Sequence, residues 1–110
     1  MIEVVSHHFS GEVYAKHVRI KDGHYVATHK HKFDHMSILA SGCVIVEADN
    51  ERKTYYSPSV IEIKAGVAHS VIAVNGDAEW FCIHAIQSDI DQDDIEAIDG
   101  SLILNENLVI

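Results

Sequence analysis

The sequence predicts an all-β fold, specifically a small antiparallel jelly-roll β-barrel, and three observations lead there. Short stretches of β-branched and aromatic residues recur roughly every ten residues, clusters of turn formers separate them, and no helical period appears before residue 88. Strand following strand at that interval favours an antiparallel meander or jelly roll over alternating strand–helix units.

The elements follow in order. Ile2 to Val5 is the first apolar stretch, Val13 to Ile20 comes after Ser10-Gly11, and His24 to His31 comes after Asp22-Gly23. His35 to Ala40 and Cys43 to Ala48 flank Ser41-Gly42, and Arg52 to Ser57 follows Asp49-Asn50. Val60 to Ile63 follows Ser57-Pro58-Ser59, His69 to Val74 follows Ala65-Gly66, and Glu79 to Ile86 follows Asn75-Gly76-Asp77. Gly, Asn and Asp at these breaks supply positive φ or short side-chain turns. Beyond them Ile90, Asp94, Ile95 and Ile98 keep a loose helical spacing that stops at Asp99-Gly100, which predicts one short helix near the C-terminus. Leu102 to Leu104 and Leu108 to Ile110 are two apolar strips that want a partner surface. With no internal repeat or linker, residues 1–110 read as one domain carrying an acidic extension over 88–110.

Composition narrows the function. Of 110 residues, 47% are hydrophobic and 23% charged, which excludes a disordered, collagen-like or coiled-coil chain. There is no run of ~18 apolar residues and no charged segment leading into an apolar one, so we expect no membrane partner and a cytoplasmic location. The net charge is −9, and much of it comes from Asp89, Asp91, Asp93, Asp94, Glu96, Asp99 and Glu106. A chain without a basic face repels a phosphate backbone, so no nucleic-acid partner is expected. Cys43 and Cys82 could form at most one bridge, consistent with a reducing compartment. The anomaly is histidine: nine residues, more than the eight Lys and Arg together.

The densest chemistry is His29-Lys30-His31-Lys32-Phe33-Asp34-His35, with His69 further on. On a strand, alternate residues share a face, so His29 and His31 point the same way with Cα atoms roughly 7 Å apart. Two imidazoles at that spacing can lean onto one ion at the ~2.0–2.1 Å that nitrogen ligands require. Lys32 to Asp34 turn the chain so that His35 enters from the next strand, and His69 follows the Ala65–Ala68 turn. The four form a ligand set wherever both segments face one interior.

These residues resemble the cupin superfamily. Its first motif is matched here by Gly23, five residues, His29-Lys30-His31, three residues, His35, six residues and Gly42, with His35 standing where the family usually has Glu. The second is matched more loosely by Pro58, five residues, Lys64-Ala65-Gly66, two residues, His69, three residues and Ala73, where glycine and histidine remain and the leading Gly, the Pro and the closing Asn do not. The motifs occupy 23–42 and 58–73, with fifteen residues, Cys43 to Ser57, between them, as in small bacterial cupins. The resemblance implies a jelly-roll barrel of the RmlC-like kind with one divalent transition metal (Mn, Fe, Ni, Zn or Cu) held by His29, His31, His35 and His69. Three His and one carboxylate leave a divalent site at about +1, whereas four neutral imidazoles leave it at about +2. Such a centre favours an anionic or enolate oxygen as its next ligand. The same exchange removes the carboxylate most often proposed as the base in dioxygenase cupins.

Alternation sets the rest of the pocket. Tyr25 and Ala27 face with His29, Ser37 and Leu39 with His35, and Val71 and Ala73 with His69; of these Tyr25 is the candidate for a hydrogen bond to a ligand. Trp80, Cys82 and His84 share a face, so Cys82 and His84 either border the pocket or are a buried small hydrophobe and a satisfied core histidine. His7, His8, His17 and His24 fall outside the motifs and read as surface residues. The functional expectation is a metal-dependent oxygenase acting on a small enolisable or phenolic substrate. The alternatives are a non-catalytic module that binds or senses a small molecule, and an isomerase of a sugar derivative. The last is weaker because alternation places Lys30 outside the pocket and no Arg falls within either motif. Apolar strips near both chain ends lead us to expect a homodimer.

Overall fold

The computed structural model describes residues 2–29 and 34–86, with backbone alone at 25 and 27–29. The acidic extension, with its expected helix and apolar strips, lies outside the described residues, as does His31. Nine strands are described: β1 (Ile2–Ser10), β2 (Val13–Ile20), β3 (Tyr25–His29), β4 (His35–Ser41), β5 (Cys43–Ala48), β6 (Glu51–Tyr56), β7 (Ser59–Ile63), β8 (His69–Ala73) and β9 (Ala78–Ala85). They form a five-stranded sheet in the order β1-β2-β9-β4-β7 and a four-stranded sheet in the order β3-β8-β5-β6. Every described pairing is antiparallel.

Each expected strand is present. The largest boundary difference is in β1, which runs to Ser10 rather than stopping at Val5, because Ser6 to Ser10 pair with His17 to Val13 across the β1–β2 hairpin, after a register shift between Val4 and Ser6; several other ends shift by a residue or two. Backbone pairing carries the polar His7-His8 pair into the strand although its side chains bury little.

Two turns show how local chemistry closes the hairpins. Asp49 and Asn50, between β5 and β6, have φ of 54° and 63°, the paired left-handed conformation that suits the strand twist and that Asn and Asp tolerate best. Gly42, between β4 and β5, has φ +95°, and a Cβ there would stand 2.6 Å from the Asp77 carbonyl oxygen, so the chain requires glycine. β6 is an edge strand whose side chains are almost all exposed, and Glu51, Arg52 and Lys53 make that edge a poor template for further pairing.

The core lies between the sheets. Trp80, Leu39, Val18, Val44, Val71 and Ala73 are buried, with Ile20, Ile61 and Ile63 packed into the same cluster. Strands β2 and β9 alternate strictly between buried and part-exposed residues, which puts Tyr14, Lys16, Val18 and Ile20 inside with Ala78, Trp80, Cys82 and His84. On the outer face, His17 stacks on Phe81 at 4.3 Å and meets the Glu79 carboxylate at 2.6 Å, where Arg19 also binds. The exposed reading of the outlying histidines is therefore corrected for His17, which the neighbouring strand half covers. Among the described residues no helix is long and apolar enough to cross a membrane.

Candidate metal centre

His35 opens β4 on the five-stranded sheet, and its Cα pairs with Ile63 of β7. His69 opens β8 on the four-stranded sheet, paired with Ala48 of β5 on one side and His29 of β3 on the other. Alternation turns both side chains inward, where they are 6% and 3% exposed. Their ring centroids lie 6.4 Å apart across the interior at an interplanar angle of 53°. Two nitrogen–metal bonds of about 2.1 Å, together with the two ring radii, span that distance. The donor set therefore fits a divalent transition ion, and imidazole suits Zn, Cu, Fe and Ni.

Of the four expected ligands, the structure thus brings His35 and His69 together. It sets the His29 backbone beside His69, while the His29 side chain and all of His31 lie outside the described residues. Among the described residues no group of three His, Cys, Asp or Glu comes within ligating range. Tyr25 is on β3, opposite Ile72, with its side chain outside the description.

Cys82 and His84 both point inward. Cys82, 3% exposed, packs in the main hydrophobic cluster. His84 meets Tyr14 edge-on at 5.2 Å, and its Nδ1 donates to the Ala85 carbonyl at 3.0 Å. The Tyr14 hydroxyl is in turn 2.6 Å from His7 Nδ1. Ser37, one alternation along from His35, places its hydroxyl 3.5 Å from His35 Nε2.

Strand register shows how these groups relate. Lys16, Cys82 and Ser37 lie in one row across β2, β9 and β4; Tyr14 and His84 lie in the next row, and continuing the β4–β9 register by one residue sets His84 across from His35. The inner face of the five-stranded sheet is therefore divided. Val18, Ile20, Ala78, Trp80 and Leu39 make one half apolar; Tyr14, Lys16, Cys82, His84, Ser37 and His35 make the other polar. Lys16 and Tyr14 are inward residues that motif reading missed. The signal was present in the alternation of Val13 to Ile20, which already puts Lys16 on the face of Val18 and Ile20.

A cavity of about 220 Å³ reaches His69 and is lined by Val46, Tyr55, Ile61, Ile63 and Val67 together with the charged Asp49, Glu51, Lys53, Glu62 and Lys64. A larger depression of about 650 Å³ between the β5–β6 hairpin and the segment before β8 has neither His35 nor His69 in its lining.

No protein-family model and no curated protein matches the chain. Solved structures do match. A cupin superfamily protein from Desulfitobacterium hafniense is 17% identical, with a TM-score of 0.64 over 79% of this chain and 77% of that one. KdgF from a Halomonas species is 18% identical, with a TM-score of 0.65 over 80% of this chain and 81% of that one. An RmlC-like cupin with a double-stranded β-helix fold from Methanocaldococcus jannaschii is 17% identical, with a TM-score of 0.64 over 77% of this chain and 78% of that one. At these identities the likeness is one of fold.

Proposed function

We propose that this chain, which has the cupin fold, is a small metal-binding cupin, and that it acts as an oxygenase on a small enolisable or phenolic molecule. The observation that carries the reading is the meeting of His35 and His69, buried on opposite sheets with rings 6.4 Å apart, beside the backbone of His29. His29, His31, His35 and His69 would hold one divalent ion, which supplies a Lewis acid for a substrate oxygen. The protein's own contribution is to position that oxygen: Val46, Ile61 and Ile63 supply apolar wall next to His69, and Ser37 offers a hydroxyl beside His35. Cys82 and His84 border the same polar half and are proposed to shape it rather than to react.

A second reading, a module that captures a small ligand without turnover, is favoured by one feature. His35 occupies the position where a carboxylate would serve as a base. Elemental analysis of protein purified without an affinity tag tests the metal, with about one ion per chain expected. Oxygen uptake by the metal-loaded protein, with enolisable and phenolic compounds supplied, then separates turnover from binding. A preparation that takes up no transition metal overturns the proposal, and ligand binding without oxygen consumption favours the module.

A further inference from the structure

We propose that Asp34 is a positioning residue of the metal centre: its carboxylate ties the crossover from β7 to β8 to the chain entering β4, and so sets where His69 stands relative to His35. The inference deepens the metal-centre reading and rests on it. Asp34 Oδ1 accepts the Ala65 N–H at 2.7 Å, joining residues 31 positions apart in sequence. A backbone N–H bonded to a carboxylate is charge-assisted, roughly twice as strong as a bond between neutral groups.

Topology puts that bond at a decisive place. His35 opens β4 and pairs with Ile63, the last residue of β7, and both strands belong to the five-stranded sheet. His69 opens β8, which belongs to the four-stranded sheet. Residues 64–68 are therefore the stretch in which the chain leaves one sheet for the other, and it delivers a candidate ligand as it arrives. Continuing the β4–β7 register by one residue sets Asp34 across from Lys64, so the carboxylate takes over where the ladder stops. Among the described residues no other backbone group of 64–68 hydrogen-bonds outside the strand ladders. Gly66, at φ +75°, turns the chain directly after the tethered residue. A single tether thus fixes the direction in which the crossover departs.

A metal site tolerates little slack. Its bonds hold to within about 0.2 Å, and a supporting shell about 1 Å too loose spoils the site. His35 and His69 approach from different sheets with rings 6.4 Å apart, and β4 and β8 are not hydrogen-bonded neighbours. The tethered crossover is the short route that links them. It also lends Lys64 and Val67 to the lining of the cavity that reaches His69, so the same bond places part of that wall.

Three full-length samples test this: the parent; Asp34→Ala, which removes the acceptor; and Asp34→Asn, which keeps an acceptor oxygen at the same reach and removes the charge. Zn²⁺ affinity is measured by competition with a chromophoric chelator, the absorption spectrum of the Co²⁺-loaded protein reports ligand geometry, and the thermal midpoint of metal-free protein reports stability. Asp34→Ala is expected to bind Zn²⁺ about tenfold more weakly, the lower end of what losing an orienting partner of a metal ligand costs, and to shift the Co²⁺ bands. Asp34→Asn is expected to restore both. A lowered midpoint with unchanged affinity and spectrum means a role in stability alone and overturns the proposal. An Asn variant as weak as the Ala variant does so too, because the effect then belongs to the charge. The parent supplies a test that needs no variant: the Ala65 amide, in a surface turn, is expected to exchange with solvent at least about tenfold more slowly than an unstructured amide. Unprotected exchange there overturns the tether even if Asp34→Ala fails to fold. A parent that binds neither Zn²⁺ nor Co²⁺ overturns the metal reading itself, a failure that the affinity measurement on the parent reports separately.

Discussion

In the proposed four-histidine site, removing a ligating imidazole would take away one of four bonds to the ion, whereas removing an outlying imidazole would take away none. His31→Ala and His69→Ala are therefore each expected to weaken metal binding strongly. His24→Ala should not, because His24 is exposed and its ring Nδ1 donates to the Asp22 carbonyl at 3.2 Å. Metal stoichiometry measures this, and an undiminished content in the His31→Ala, His69→Ala double variant would sink the site assignment. His35→Glu makes the converse test. The carboxylate can still ligate but lowers the formal site charge by one. Metal should stay bound, while affinity for acetylacetonate falls; tighter anion binding by the variant would contradict the charge argument. Single-residue chemistry was the most legible part of the site, since the spacing of His29, His31, His35 and His69 is written in the chain. Lys16 was harder to see because no motif marks it and only its neighbours' burial gives it an interior address.

At the scale of elements, the turns opposite the histidines hold the strands in register. Gly42 connects β4, which carries His35, to β5, which pairs with β8 and so supports His69. Gly42→Ala would force a side chain into φ +95° and against the Asp77 carbonyl. A cost of about 2 kcal/mol or more is expected, read as a fall of several degrees in the thermal midpoint. A variant as stable as the parent would show that the turn relaxes. The β2–β3 and β8–β9 turns clasp one another: the Asp22 N–H donates to Asp77 at 2.9 Å, the Gly76 N–H donates to Asp22 at 3.0 Å, and Lys21 lies 3.5 Å from Asp77. That backbone N–H, followed by the Lys21 charge, holds the Asp77 carboxyl below its ordinary range. A depressed carboxyl contributes stability that is fully present above its ordinary value of about 4 and is lost as the pH falls through the lower folded value. Asp77→Asn should therefore destabilise the chain at neutral pH and match the parent in strong acid. Denaturant midpoints across pH 2–7 check this, and a gap that stays constant to the acid limit would rule the clasp out as its cause.

For the whole molecule, the outward face of the five-stranded sheet matters most. Met36, Val60 and Val13 are 49%, 64% and 46% exposed on its strands, with Ile38, Phe81 and Ile83 half-covered among them. Apolar exposure of that extent on one sheet suits a self-complementary two-fold contact. The chain is expected to sediment as a homodimer. Monomers of 12.2 kDa at micromolar concentration would defeat the expectation, and a dimer that survives truncation at Asp99 would exclude the tail from the contact. Within the Ile2 to Val5 strip, Ile2 packs against the core while Val4 and Val5 are 53% and 42% exposed, so the β1 start adds to the exposed apolar surface.

The sequence by itself determined where the strands lie, where they turn, and which four histidines share a ligand spacing. Those are local properties: alternation declares a strand's two faces, Asp49-Asn50 and Gly42 declare left-handed backbone, and His29-Lys30-His31 has the spacing expected of two imidazoles on one side of a strand. Only the tertiary structure decided the sheet order, the extension of β1 to Ser10, and the neighbours of each inward residue. It put Lys16 beside Cys82, sixty-six positions away in sequence, and His35 across from His69 on the other sheet. The physical reason is that strands pair by what their faces bury together. That is a property of two distant segments at once, and neither segment's own pattern contains it.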